Sequence, residues 1–90
     1  MNFEIEANQI VYREGNRTLA FIHWTAVDAR TIAADHTFVD ESLRGRGVGK
    51  ALLDALAAHA AAREWEIRAV CPFVVKWFER SAEYDGAKAA

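Results

Sequence analysis

The sequence has a single cysteine, which excludes an intrachain disulfide. A small domain that holds together without one fits a reducing compartment. Basic excess is also missing: 11 lysines and arginines stand against 13 aspartates and glutamates, a net charge of -2. That argues against a nucleic-acid partner, which needs a basic face. No stretch approaches the ~18 consecutive apolar residues of a membrane span. The start, MNFEIEANQI, has charges at Glu4 and Glu6 and no apolar signal region. The expectation is a cytoplasmic protein with no membrane or nucleic-acid partner and no metal. No repeat, linker or low-complexity run divides the chain, and 90 residues suffice for one modest core, not two.

What is present begins with alternation. NFEIEA sets Phe3 and Ile5 against Glu4 and Glu6, a period of two and hence a short strand. QIVYRE reads as a second strand, closed by turn chemistry at Gly15-Asn16. Residues 18–27 form a long aromatic and β-branched run that suits a central strand. After a turn at 28–30, residues 31–39 return as another long strand, which predicts an antiparallel meander. On this strand Ala34, His36 and Phe38 are expected to share one face.

From Val48 the period changes. Val48, Leu52, Leu53, Leu56 and Ala60 recur by threes and fours, one face of a helix that ends near Glu64. Residues 65–70 alternate again as a short strand. Pro72 can open a second helix, where its missing N–H costs nothing, and Phe73, Val74, Trp77 and Phe78 follow at helical spacing. The predicted class is α+β, helices against a mostly antiparallel sheet. Residues 1–84 are read as one domain and residues 85–90 as a disordered tail.

Between the last long strand and the first helix lies ESLRGRGVGKALL, with three glycines in five residues. A Walker loop fails twice, because Ala51 follows Gly49-Lys50 and Arg44 stands where the first glycine belongs. The dinucleotide fingerprint meets Lys50 at its last place. A third pattern, Gln/Arg-x-x-Gly-x-Gly/Ala between strand and helix, is matched by Arg44, Gly47 and Gly49. Glycines let an anion approach the backbone, and the first helical N–H groups lack internal partners. The helix dipole favours negative charge there. Arg44, Arg46 and Lys50 add positive charge. The plainer reading of the glycines is tight packing alone.

At this point the chain resembles the short, single-domain members of the GNAT acetyltransferase superfamily. The likeness runs from about Thr18 to Tyr84 and is sharpest at His36-Thr37, at Arg44 to Gly49, and at Cys71-Pro72-Phe73-Val74. It implies a truncated GNAT fold whose strand–loop–helix element binds acetyl-CoA or coenzyme A. The pyrophosphate would sit on the backbone amides of Arg44, Gly45, Arg46, Gly47, Val48, Gly49 and Lys50, with Leu43 also in contact with the coenzyme. The pantetheine arm would run beside the strand ending at Val39, and Phe73 and Lys76 would also contact the coenzyme. The thioester would reach the gap between the two parting strands, next to Cys71. Relatives often carry Glu after His-Thr, where this chain has Phe38, and His-Pro-Glu-Tyr where it has Ser81-Ala82-Glu83-Tyr84. Full-length members have extra N-terminal helices that help form the acceptor pocket, and no segment here supplies them.

Two side chains are candidate catalysts. Cys71 is the one strong nucleophile near the expected thioester, or else a small buried hydrophobe. His36 is a base, or packs, or meets solvent. His23 and His59 are expected to be bland, His59 late in a helix near solvent. Lys76 and Arg80 either reach the coenzyme or form a solvated basic face. The expected function is acetyl-CoA-dependent N-acetyl transfer to an unknown amine, small molecule or protein, by a monomer or weak homodimer. The alternatives are a non-catalytic coenzyme A sensor or partner protein, and an interaction domain whose loop holds nothing.

Overall fold

Alternation, helical period and turn chemistry place every strand and α-helix within a residue or two of its expected bounds; two 3₁₀ segments had no counterpart in that reading. The computed structural model describes residues 1–89. The strands are β1 (Glu4–Ile5), β2 (Gln9–Glu14), β3 (Arg17–Ala26) and β4 (Thr31–Val39). A 3₁₀ turn (Glu41–Leu43) leads to α1 (Val48–Ala62), then β5 (Glu66–Ala69), α2 (Pro72–Arg80) and a 3₁₀ segment (Ala82–Ala87). The sheet order follows the chain from β1 to β5. The first three junctions are antiparallel and β4–β5 is parallel, because α1 carries the chain back to start β5 at the same end.

One face of the sheet holds the core. Ile10, Ile22, Trp24, Ile32, Ala34 and Ile67 meet the α1 stripe Val48, Leu52, Leu53, Leu56 and Ala60. Val74 and Phe78 of α2 and Tyr84 of the last segment join the same buried cluster. Each fully buried Leu or Ile contributes about 1.5–3 kcal/mol.

His59 departs from its expected place near solvent. It is buried between Trp24 and Trp65, with ring centroids 5.5 and 5.7 Å away, and Arg63 donates to its Nδ1 at 3.0 Å. The two indoles, from β3 and from the residue just before β5, close over the last turn of α1.

A bulge interrupts β4. Trp24 pairs with Ala34 while His23 pairs with His36, so Asp35 is the extra residue. Beyond it Thr37 lies opposite the buried Ile22, and Phe38 opposite Phe21. The expected common face of Ala34, His36 and Phe38 is therefore wrong. The bulge leaves Ala34 and Thr37 toward the core and turns His36 and Phe38 to the outer face, where both are exposed.

β4 and β5 part at one residue. Their last pair is Ala34 with Ala69. The Ala34 carbonyl then accepts from both Val70 N–H (3.1 Å) and Cys71 N–H (2.9 Å). Pro72 starts α2 immediately afterwards, so β5 turns away while β4 continues through residues 35–39. Residues 82–87 form 3₁₀ structure, and Ala89 N–H donates to Ile67 O at 2.8 Å along the free edge of β5.

Candidate functional site

The glycine-rich loop is shaped by φ. Gly45 (+82°) and Gly47 (+73°) both sit in the left-handed region, which an L side chain enters only at a cost of about 1–2 kcal/mol. Asp40 holds the entry: its carboxylate accepts from Ser42 N–H (3.0 Å) and Ser42 Oγ (2.6 Å). Those bonds draw its carboxyl below the ordinary range. Gly47 is the N-cap of α1, and the first rung of the helix ladder runs from Ala51 N–H to Gly47 O at 3.0 Å. Among the described residues, the N–H groups of Gly45, Gly47, Val48, Gly49 and Lys50 therefore have no backbone partner.

These amides open on a cavity of about 370 Å³ lined by Thr37, Val39, Leu43, Arg44, Gly45, Gly47, Val48, Gly49, Lys50, Phe73 and Trp77. Its floor is the stretch of β4 that has lost its β5 partner. Its far wall is α2. Gly49 is required for that wall, since a Cβ there would stand 2.7 Å from Phe73 Cζ. At Gly47 a Cβ would meet nothing within 4 Å. One glycine thus serves packing and the other serves open approach.

The cavity gathers nine of the expected cofactor residues: Val39, Leu43, Arg44, Gly45, Gly47, Val48, Gly49, Lys50 and Phe73. Arg46 and Lys76 are exposed and do not line it. Thr37 and Trp77 were not foreseen. Both have a periodic signal: Thr37 is two residues from Val39 on a strand, and Trp77 one helical turn after Phe73.

A model of the GCN5-related N-acetyltransferase family matches residues 3–87 of this sequence. The chain belongs to that family. The solution structure of a GCN5-like protein from Staphylococcus aureus is 32% identical, with a TM-score of 0.82 over 99% of this chain and 88% of that one. A ribosomal-protein-alanine N-acetyltransferase from Brucella melitensis is 25% identical, with a TM-score of 0.62 over 94% of this chain and 64% of its own. A Mycobacterium tuberculosis protein solved in complex with CoA shares the fold at 15% identity, with a TM-score of 0.63 over 89% of this chain and 57% of its own. No curated protein matches the sequence. The family uses acetyl-coenzyme A, and no helix among the described residues is long and apolar enough to cross a membrane.

In this GCN5-related chain Cys71 is the N-cap of α2 and is buried. Its thiol lies 3.6 Å from Thr37 Oγ1. Cys71 is thus one side chain removed from the cavity, behind Thr37. His36 is not brought to the cavity: it lies on the outer sheet face, 5.3 Å from the Phe21 ring.

The outer face holds a cluster that sequence reasoning missed. His23 Nδ1 and Asp35 Oδ1 are 2.6 Å apart, Thr25 Oγ1 donates to Asp35 Oδ2 at 2.6 Å, and Asn8 Nδ2 lies 3.1 Å from His23 Nε2. Partial burial pushes the Asp35 carboxyl up, but the hydrogen bonds from His23 and Thr25 outweigh it and leave the group low. The bulge creates this pair by aiming Asp35 across the strand, which no linear spacing announces.

Proposed function

We propose that the chain binds acetyl-coenzyme A in the 370 Å³ cavity and transfers the acetyl group to an amine that enters at the parting of β4 and β5. The observation that carries this reading is the set of amides without a backbone partner at Gly45, Gly47, Val48, Gly49 and Lys50, at the cavity mouth. A diphosphate accepts from several such donors at once, and each charge-assisted bond contributes about 1.5–3 kcal/mol. Arg44 adds a cation on the same rim. The pantetheine arm lies along residues 35–39, whose free strand edge offers backbone hydrogen bonds. The thioester then stands beside Thr37 and Cys71.

The chemistry needs a neutral amine nitrogen to attack the thioester carbon. The carbon–sulfur bond breaks, and the coenzyme leaves as a thiolate that takes up a proton. In a two-step version the Cys71 sulfur, giving up its proton, attacks the thioester carbon and displaces coenzyme A, which leaves as the thiol. The amine then attacks the Cys71 acetyl thioester, and the Cys71 sulfur leaves and takes up the proton the amine loses.

A second reading, binding without catalysis, has an observation of its own in favour. Among the described residues, those lining the cavity include no aspartate, glutamate or histidine to act as a base.

Calorimetric titration with acetyl-CoA tests the shared claim: saturable heat is expected, and none with either acetyl-CoA or CoA would remove both readings. Intact-mass spectrometry and turnover on an amine panel separate them. An acetyl adduct lost in Cys71→Ala supports the two-step route. Turnover preserved in Cys71→Ala supports direct transfer. Binding without adduct or turnover supports the silent binder.

A further inference from the structure

Lys50 is the cavity residue whose charge is already engaged. Its ammonium donates to Asp54 Oδ2 and to Glu83 Oε1, both at 3.0 Å. It also stands 5.5 Å from the Trp77 ring centroid and 5.8 Å from that of Tyr84. The two carboxylates are themselves held. Tyr84 Oη donates to Asp54 Oδ1 at 2.5 Å, and Ser81 Oγ donates to Glu83 Oε2 at 3.0 Å. Ser81 also caps the 3₁₀ segment that carries Glu83 by accepting from Glu83 N–H. The C-terminal segment is thereby stapled to the first turns of α1 at the residue that lines the cavity.

The electrostatic consequence depends on ligand charge. Two carboxylates more than neutralise one ammonium, so the cavity's lysine is withheld from an anion. A polyanion entering the cavity meets the field of Glu83 as well as that of Lys50. About half of the Glu83 side chain is solvent-exposed (51%), and ion pairs of that kind contribute little to stability. The clasp can therefore yield to a ligand of high charge without unfolding its neighbours.

We propose that Glu83 is a specificity-determining residue of the cavity, setting through its hold on Lys50 how strongly ligand negative charge is rewarded. This rests on the coenzyme reading above and deepens it. In Glu83→Gln the staple to Ser81 and the side-chain shape remain while one negative charge is lost.

The test is a calorimetric series on the wild type and Glu83→Gln with three probes: CoA, CoA lacking its ribose phosphate, and pantetheine, which carries no phosphate. The expected result is graded. Affinity for CoA rises about 3- to 10-fold in the variant, affinity for the form without the ribose phosphate rises less, and that for pantetheine stays within twofold. The gain for CoA shrinks as salt is raised, because screening reduces the repulsion removed. Equal gains for all three probes would make Glu83 a steric or folding residue and overturn the proposal, as would unchanged CoA affinity. If CoA binds neither protein, the coenzyme reading itself falls. Lys50→Met supplies a second arm: combined with Glu83→Gln it should abolish the graded gain, and a gain that survives would show that Glu83 does not act through Lys50.

Discussion

At the scale of single residues, Gly49 and His59 show how a neighbour decides what a residue is worth. Gly49→Ala places a methyl 2.7 Å from the Phe73 ring. Overpacking of this kind costs about 1–3 kcal/mol, and the better helix propensity of alanine returns about 0.5–1 kcal/mol. Urea unfolding should show a net loss of about 1 kcal/mol. Coenzyme affinity should fall with it, because the ring yields toward the cavity.

His59 makes a pH prediction. Burial and then the nearby Arg63 charge lower its pKa. The folded state therefore binds a proton less readily than the unfolded chain, whose histidine titrates near ~6.5. Stability from the neutral imidazole is present above that value and is lost as pH falls below it toward the lower folded value. The melting temperature should fall as pH goes from 7 toward 5, below the ~6.5 at which the unfolded histidine titrates. His59→Phe should flatten that limb; an unchanged slope would assign the loss to other groups.

At the scale of the element, the loop from Arg44 to Lys50 separates two arginines that look alike in the sequence. Arg44 lines the cavity and Arg46 does not. Arg44→Ala should weaken CoA binding about 3- to 10-fold at low salt and less at high salt, since the charge–charge part is screened. Arg46→Ala should stay within twofold, and calorimetry at two ionic strengths checks both. Gly47→Ala should reduce affinity as well as stability, because the methyl points into open space at the mouth while φ +73° strains the cap.

The elements themselves were legible because each is local. QIVYRE is a short run with β-branched and aromatic residues, Pro72 can open a helix, and Gly15-Asn16 turns a hairpin, so composition, period and punctuation suffice. The bulge at Asp35 was not legible. It depends on the register of β4 against β3, a property of two strands and not of one, and it moved His36 to the outer face.

At the scale of the whole molecule, the loop cavity is built on the same small core that holds the fold, so ligand and fold are thermodynamically linked. A ligand at a hundredfold its Kd adds about 2.7 kcal/mol to stability. In a domain of this size that raises Tm by roughly 10 °C or more. Thermal shift with acetyl-CoA should show it, and Arg44→Ala should show a smaller rise at the same ligand concentration. A Tm indifferent to saturating acetyl-CoA would contradict the coenzyme reading. Acid should act through the other linkage. The Asp35 carboxyl is held low by His23 and Thr25, so the stability it contributes is present above the ordinary aspartate value and is lost as pH falls through the lower folded value.

The amino-acid sequence by itself determined the elements, their order, the helix stripe of Val48, Leu52, Leu53, Leu56 and Ala60, and the amide-rich loop with its glycines. Those follow from backbone stereochemistry and from periodicity, which act over a few residues. Tertiary structure alone decided which side chains share the cavity with that loop. It admitted Trp77 and Thr37, left Arg46 and Lys76 outside, set Cys71 behind Thr37, and bound Lys50 to Glu83 from 33 residues away. The reason is physical: a site is a set of distances between elements, and those distances exist only once packing has brought the elements together.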